Sequence, residues 1–169
     1  MAEQTRVLFL IPHIDGGGTE RVTALLAQNL SQSRYDIHLG LATQECPPAD
    51  VPVPQGVMVH GLDAARVRSA ALPLLHLVRR LKPALILSNM AHMNFAVLMQ
   101  RGFYPRRTRV VVRQNGTIFT TLRSRATARV TPMLYRRLYP RADRVICQSQ
   151  AMADELAREL ALKPERISV

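Results

Sequence analysis

Residues 6–30, RVLFLIPHIDGGGTERVTALLAQNL, contain in succession a short apolar run, a glycine-rich turn and a helical pattern. The run from Arg6 to Pro12 is continuously apolar, as strands are when helices cover both faces of a parallel sheet. After the turn, Thr19 is a helix-capping residue type, and apolar residues recur at helical spacing: Val22, Leu25, Leu26 and Leu30. We therefore predict a buried strand, a tight turn and a helix over residues 20–30.

The same alternation of strands and helices continues along the chain. Further strands are predicted at Tyr35–Thr43, Val57–Leu62, Ala84–Ser88, Arg109–Arg113 and Arg144–Cys147, and Arg166–Val169 has the pattern of a seventh. Helices are predicted at Arg66–Leu81, His92–Arg101 and Met152–Leu160, with an arginine-rich helical stretch before the sixth strand. The predicted fold class is α/β, a Rossmann-like doubly wound parallel sheet with strand order 3-2-1-4-5-6-7.

Length and composition fit one globular domain covering residues 1–169. Apolar residues make up 47% of the chain, enough for a hydrophobic core without disulfides. The two cysteines, Cys46 and Cys147, have no metal-ligand or CxxC spacing, which favours reduced thiols. The first apolar run holds only five residues, Val7–Ile11, too few for a signal-peptide core or a membrane span. A cytoplasmic location is therefore expected.

The net charge of +11 is distributed unevenly along the sequence. Residues 64–142 contain sixteen Arg or Lys and no Asp or Glu, whereas the other ninety residues contain seven basic and twelve acidic residues. A basic half of this kind predicts an anionic partner, which is a nucleic acid, a phospholipid surface or a phosphorylated substrate. The scarcity of aromatic residues and the lack of a known nucleic-acid-binding motif disfavour nucleic acid.

Ligands of doubly wound sheets bind beyond the carboxyl ends of the strands, near the point where the strand order reverses. This rule selects Gly16–Gly18, Ser88–His92, Arg113–Asn115 and Gln148–Ser149. With His13, on the loop after the first strand, the predicted site residues are His13, Gly16, Gly17, Gly18, Asn89, His92, Arg113, Gln114, Asn115 and Ser149. Asn89 and Asn115 have an alternative role as helix caps or turn formers. His13 is a better site candidate than His38, His60 or His76, which lie within strand or helix patterns. The sequence contains no recognisable catalytic triad or metal-ligand cluster.

The glycine turn at Gly16–Gly18 either holds a phosphate at the helix N-terminus or serves only the fold. It lacks the Gly-Lys-Ser/Thr ending of a P-loop, and its glycines are consecutive, unlike the spaced GxGxxG of dinucleotide-binding proteins. The second strand also ends in Thr43 and Gln44, where an NAD ribose would need a carboxylate. These features disfavour a nicotinamide-dependent oxidoreductase.

Four segments together resemble the N-terminal half of glycosyltransferase family 4, which has the GT-B fold and retains anomeric configuration. They are VLFLIPHIDGGGTERVTALLAQNL, KPALILSNMAHMNFAVLM, RVVVRQNG and YPRADRVICQSQAMADELAREL. The resemblance includes the turn Gly17-Gly18-Thr19-Glu20, and Tyr139–Ala142 with Ser149 is its most specific part. It implies a second Rossmann-like domain that holds the donor, and the end of the chain at RISV is expected to be a cut before that domain.

The resemblance further implies transfer of a sugar from a nucleotide sugar to a glycan or lipid-linked acceptor, in cell-envelope polysaccharide or lipopolysaccharide synthesis. Gly16–Gly18 would approach the donor diphosphate or sugar, and Arg113–Asn115 would line the acceptor site. Many relatives have a histidine where Gln114 and Asn115 stand, so hydrogen bonding to sugar hydroxyls is expected here rather than proton shuttling. No catalytic residue, cofactor or metal is predicted. The isolated domain is expected to be inactive and to self-associate through its uncovered face.

The segment 118–141 combines arginines with apolar residues and contains no acid. A peripheral position on the inner face of the cytoplasmic membrane is predicted, with anionic lipid contacted by Arg123, Arg125, Arg129, Arg136 and Arg137. In the alternative interpretation an apolar stripe of Phe119, Leu122, Ala126 and Val130 packs on the sheet and the arginines are simply solvated. A basic Rossmann-like module that binds nucleic acid or another polyanion is the alternative function.

Overall fold

Seven parallel strands form one sheet in the order β3-β2-β1-β4-β5-β6-β7. They are β1 (Thr5–Ile11), β2 (Tyr35–Leu41), β3 (Met58–Gly61), β4 (Leu85–Asn89), β5 (Arg109–Gln114), β6 (Arg144–Cys147) and β7 (Ile167–Ser168). The computed structural model describes residues 4–14, 17–30, 33–43, 55–116 and 130–169. The predicted strand order and the Rossmann-like α/β class are confirmed.

The helices cover both faces of the sheet. They are α1 (Gly18–Asn29), α2 (Ala71–Leu81), α3 (Ala91–Met99), α4 (Val130–Leu138) and α5 (Gln150–Leu160), with short 3-10 turns at Arg101–Phe103, Tyr139–Arg141 and Pro164–Arg166. Within the described ranges, no helix has both the length and the apolarity needed to cross a bilayer.

Two apolar cores flank the sheet, because side chains alternate between its faces along each strand. Leu8 and Leu10 of β1 point to the core built with α2, α3, α4 and α5. Val7, Phe9 and Ile11 point to the opposite core, to which α1 contributes Ala27. Burial on both faces explains why the strands are continuous apolar runs in the sequence.

Helix α2 begins at Ala71, whereas the sequence pattern predicted a start at Arg66. The preceding residues form a turn in which the Ser69 hydroxyl donates to the Arg66 carbonyl oxygen at 2.7 Å and accepts from the Arg66 amide at 3.1 Å. A helix from Arg66 would also place Pro73 in its interior, where proline removes a backbone hydrogen bond. Starting at Ala71 puts Pro73 in the first turn, where its missing N–H costs nothing.

Candidate functional site

The N-terminus of α1 lies at the carboxyl edge of the sheet, directly after β1. The helix begins at Gly18 with Gly17 as its N-cap, so Thr19 is inside the first turn and is not the cap. Glycine has no side chain to satisfy the first amides, and the positive end of the helix dipole points to this edge. A Cβ on Gly17 would overlap the Glu20 carboxylate, whereas a Cβ on Gly18 would meet no heavy atom within 4 Å. Gly18 is therefore the open approach to the helix terminus, while Gly16 lies outside the described residues.

Two asparagines from neighbouring strands hold α1 against the sheet edge. The Asn115 amide donates to the Thr19 hydroxyl at 3.1 Å, and the Asn89 amide donates to the Thr23 hydroxyl at 3.3 Å. The Thr23 hydroxyl in turn donates to the Thr19 carbonyl oxygen at 2.8 Å. Helix α3 has Met90 as its N-cap, without a side-chain capping bond. Asn89 and Asn115 thus connect one side of α1 to the strand ends. These hydrogen bonds are not the helix caps that the sequence suggested for the two asparagines.

Buried polar atoms without partners gather at the same edge. Asn89 and Arg113 are opposite each other in the β4–β5 pairing. Within the described part of the chain, Asn89 Oδ1, Asn115 Oδ1, Arg113 Nη1 and Ser88 Oγ are buried and accept or donate no hydrogen bond. Each unsatisfied buried group costs about 1–3 kcal/mol, so such groups are rare unless a ligand or water satisfies them. Their concentration here indicates a site that binds a polar ligand.

Burial lowers the pKa of the Arg113 guanidinium from its usual value, because the charged group loses hydration. No described carboxylate forms an ion pair with it to compensate. Arginine nevertheless stays charged at neutral pH. A half-buried positive charge without an ion-pair partner among the described residues is stabilised when an anion or a hydroxyl-rich ligand binds beside it.

Two histidines flank the edge on its β1 and β4 sides. His13 follows β1, and His92 lies in the first turn of α3. Surrounding protein atoms lower the pKa of His92, and the nearby charge of His13 lowers it further. A neutral His92 at pH 7 can both donate and accept a hydrogen bond. Met90, between β4 and α3, has φ 74°, an unfavourable value for a non-glycine residue of the kind that clusters at functional sites.

Gln114, predicted as an acceptor-binding residue, is 2% exposed and its side chain turns into the protein. Its amide donates to the Gly116 carbonyl oxygen at 2.7 Å and to the Tyr135 hydroxyl at 3.1 Å, while the Tyr139 hydroxyl donates to its Oε1. Asn94, which is fully buried, donates to Tyr139 OH at 3.2 Å and to the Arg113 carbonyl oxygen at 3.0 Å. This buried network fixes the turn that follows β5.

The other predicted site residues lie further along the chain. Ser149 is the N-cap of α5, where its hydroxyl accepts from the Met152 amide at 3.3 Å. Arg136 and Arg137 are exposed on α4, whereas Arg123, Arg125 and Arg129 lie outside the described residues. In the segment considered for membrane contact, Tyr135, Leu138 and Tyr139 belong to the core, whereas Phe119, Leu122 and Ala126 of the apolar stripe lie outside the described residues, so the alternative interpretation stays a prediction.

The sequence did not predict the residues that hold the site residues in place, which include Thr19 and Thr23. Thr19 and Thr23 are one helical turn apart, a spacing that would have placed them on one face of α1. Tyr135, Tyr139 and Asn94 could not be recognised from the sequence, because their partners are distant in the chain: the tyrosines contact Gln114, and Asn94 contacts Tyr139 and the Arg113 carbonyl oxygen. In the described residues, no three His, Cys, Asp or Glu side chains gather where they could hold a metal ion. The edge offers amide, imidazole and guanidinium groups, which suit a ligand with hydroxyl and phosphate oxygens.

Known proteins share the fold of this chain and its sequence pattern. Residues 16–169 match the sequence model of Glycosyltransferase Family 4. HepE of Anabaena in complex with UDP-glucose superposes with a TM-score of 0.67 at 18% identity, over 98% of this chain and 43% of its own. The wall teichoic acid polymerase TagF gives 0.57 at 13% identity, over 98% of this chain and 38% of its own. An alpha-glucosyltransferase bound to UDP and a 13-mer DNA superposes with a TM-score of 0.53 at 15% identity, over 88% of this chain and 38% of its own.

No curated protein sequence matches the chain significantly. The chain spans less than half the length of these structural neighbours. The structural likeness therefore shows the fold, and the family match indicates glycosyl transfer in general.

Proposed function

This chain belongs to glycosyltransferase family 4, and on that basis we propose that it forms the acceptor-binding domain of a retaining glycosyltransferase. The complete enzyme moves a sugar from a nucleotide sugar to a glycan or lipid-linked acceptor. The observation that carries this proposal is the group of unpaired buried polar atoms beside the α1 N-terminus. In this proposal a second domain would hold most of the donor. It would correspond to the part of the neighbours' chains that this chain does not cover.

The donor contacts in this proposal are the backbone amides of Gly17 and Gly18. A helix N-terminus binds phosphate through amide groups and the helix dipole. HepE, whose fold this chain shares, was solved with UDP-glucose, so we take UDP-glucose as the first nucleotide-sugar probe. Because Glu20 occupies the space beside Gly17, the diphosphate approaches from the Gly18 side.

The acceptor contacts in this proposal are His13, His92, Arg113 and Asn115, with Asn89 completing the edge. The unpaired polar atoms of Asn89, Arg113 and Asn115 match sugar hydroxyls, and Arg113 adds a positive charge near the departing diphosphate. Gln114 and Asn94 have a different role, because their side chains are already used to position the turn after β5. Ser149 caps α5 with its hydroxyl and is exposed, so it is also able to contact the acceptor.

The chemistry proposed is displacement of a nucleoside diphosphate with retention at the anomeric carbon. The sugar–phosphate C–O bond breaks and a bond to the acceptor oxygen forms, while the acceptor proton leaves with the diphosphate. Preorganised amides and Arg113 stabilise the charge that develops on the leaving phosphate. This domain alone would hold only part of the donor, so we expect it to transfer no sugar by itself.

Replacing Gly18 by Ala tests the donor contact. A Cβ at Gly18 meets no protein atom within 4 Å, and alanine is the better helix former by about 1 kcal/mol, so stability should stay equal or rise. In the complete enzyme, kcat/KM should fall at least about tenfold, because the methyl group blocks close approach of the diphosphate to the backbone. Transfer and the free energy of unfolding are measured side by side.

Gly102 provides the matched control for Gly18→Ala. It also has open space around its Cβ position, and it lies in the 3-10 turn Arg101–Phe103, away from the carboxyl edge of β1. Gly102→Ala should leave transfer unchanged. If Gly18→Ala also leaves transfer unchanged, the helix terminus does not contact the donor.

We further propose a cell-envelope role, with the exposed side of α4 on an anionic membrane surface. Arg136 and Arg137 are exposed there beside Met133, which is 57% exposed. These residues line an open cleft with Pro132 and Pro140. Basic residues near anionic lipid contribute about 1 kcal/mol each, and an exposed methionine can insert among the headgroups.

Cosedimentation with phosphatidylglycerol vesicles tests the membrane surface. The double variant Arg136→Gln/Arg137→Gln should bind about tenfold or more weakly at low salt, since two favourable charges of about 1 kcal/mol each are lost. The control Arg106→Gln/Arg107→Gln removes two adjacent exposed arginines on the loop before β5. Equal loss of vesicle binding in both double variants would contradict a specific membrane surface on α4. Salt-sensitive binding to duplex DNA, without binding to vesicles, would favour the polyanion-binding alternative.

A further inference from the structure

A chain of charged and imidazole groups crosses the first three strands, away from the candidate site. Arg6 Nε donates to Asp36 Oδ2 at 2.7 Å, and Arg6 Nη1 donates to the Leu81 carbonyl oxygen at 2.6 Å. Asp36 Oδ1 lies 3.1 Å from Nε2 of His38, and His38 Nδ1 lies 2.8 Å from Nε2 of His60. The carboxylate is thus linked to His60 through a histidine that is 1% exposed.

Either ring can donate in the His38–His60 hydrogen bond, depending on which tautomer each histidine adopts. The Asp36 carboxylate, 3.1 Å from Nε2 of His38, favours the form in which that nitrogen carries a proton and His60 Nε2 donates to His38 Nδ1. In that form the other ring nitrogen of His60, Nδ1, has a lone pair. One further proton there converts His60 into a cation.

His60 opens onto a cleft of about 270 Å³ between β3 and α2. The polar side chains that line it are His60, His76 and Arg80, together with Gly61, Leu62, Pro73 and Leu77. No described carboxylate lines the cleft: Asp36 lies behind His38, and the exposed Asp63 follows the end of β3. At about 30 Å³ per water molecule, the volume equals about nine waters, enough for a phosphate group and part of what it is attached to.

We propose that the cleft lined by His60, His76 and Arg80 binds a small anion of the phosphate class, and that His60 takes up a proton as the anion binds. Arg80 supplies a permanent charge, and the exposed His76 supplies a second imidazole donor. His60, once protonated, supplies a further positive charge. Its contact with His38, which lies beside Asp36, links that charge to the carboxylate. The Arg6 contacts keep Asp36 in place.

The charges that face His60 explain why binding and proton uptake are linked. Burial lowers the pKa of His60, the charge of Arg80 and any positive charge on a protonated His38 lower it further, and Asp36 acts in the opposite direction. His60 is therefore mostly neutral near pH 7. A bound anion favours the protonated form and raises its pKa, so by linkage the anion binds more tightly at low pH than at high pH.

The cleft is separate from the candidate glycosyl-transfer site. It lies at β3, the edge strand that is three positions from β4 and four from β5 in the sheet. A phosphomonoester, a free phosphate and a lipid headgroup share the chemistry that this cleft recognises. Binding here would neither require nor exclude sugar transfer at the other site.

The test follows the imidazole nitrogens of His60 by NMR in the 169-residue chain. Inorganic sulfate serves as the probe for the pH series, because its charge is constant over the titration range of histidine. We expect saturable binding that is about fivefold tighter below the His60 pKa than above it. Inorganic phosphate and glycerol phosphate should displace sulfate, whereas displacement only by phosphatidic acid vesicles would assign the cleft to a lipid headgroup.

Two variants on α2 decide whether the cleft itself is responsible. Arg80→Gln should weaken sulfate binding about tenfold or more, as expected for loss of a charge-assisted contact. Arg79→Gln, the control, removes a guanidinium that donates instead to the Phe103 carbonyl oxygen and should bind sulfate normally. Equal weakening in both variants, or a His60 pKa that does not move at saturating sulfate, would overturn the proposal.

Discussion

Replacing Arg113 by Gln in the complete enzyme is expected to lower kcat/KM about a hundredfold, which corresponds to about 2.7 kcal/mol of transition-state stabilisation. The guanidinium is half-buried at the end of β5, and its Nη1 has no partner among the described residues. In the proposed reaction its charge faces the departing diphosphate. Glutamine keeps a hydrogen-bond donor but loses this charge.

The same variant should not lower the free energy of unfolding. A buried charge without a partner is unfavourable for the fold, so its removal is neutral or stabilising. Arg109 provides a control on the same strand, since it is exposed at the opposite end of β5 and pairs with Asp143 at 2.9 Å. Arg109→Gln should leave transfer intact. Transfer that survives Arg113→Gln, or falls only as much as stability does, would contradict a role in the reaction.

Replacing Gln114 by Leu is expected to destabilise the domain by roughly 3 kcal/mol and to lower Tm by about 10 °C. Leucine has a similar size, but it removes the hydrogen bonds that Gln114 makes with the Tyr135 hydroxyl, the Tyr139 hydroxyl and the Gly116 carbonyl oxygen, although the Tyr139 hydroxyl keeps a second partner, Asn94. Buried polar groups that lose a partner account for the cost. Denaturant unfolding of the parent and variant measures it.

Tyr135→Phe is the milder control for Gln114→Leu, because it removes one hydroxyl and leaves the Tyr139 and Gly116 contacts in place. Its loss of stability should be about 1 kcal/mol. If Gln114 instead contacted a sugar hydroxyl, as the sequence alone suggested, Gln114→Leu would lower transfer with little effect on unfolding. That outcome would contradict the buried network.

The fold was largely predictable because its signals are local. Continuous apolar runs such as Val7–Ile11 identify buried strands, and the glycine turn before α1 gives the first crossover. Right-handed crossovers then determine the strand order. The predicted start of α2 was wrong, because helical periodicity over residues 66–81 does not reveal that residues 66–70 form a turn held by Ser69.

The site was predictable as a location and less so as a set of contacts. The sheet-edge rule selected Asn89, Arg113 and Asn115, which the fold does bring to one edge beside α1. Side-chain direction depends on partners distant in sequence, so nothing local showed that Gln114 turns inward. For the same reason His38 read as an ordinary strand residue, since its contacts with Asp36 and His60 arise only when three strands align. The ligand roles of the edge residues stay predictions.

The most direct measurement of the central claim is an amide chemical-shift titration of the 169-residue chain with the nucleotide-sugar probe. We expect saturable shifts at Gly17, Gly18 and Gly116, around the α1 N-terminus and the turn after β5. Amides at the opposite end of the sheet, such as those of Thr108 and Arg109, should stay unchanged. Shifts confined to that opposite end, or none at any concentration, would contradict the claim that the carboxyl edge of the sheet is the ligand site.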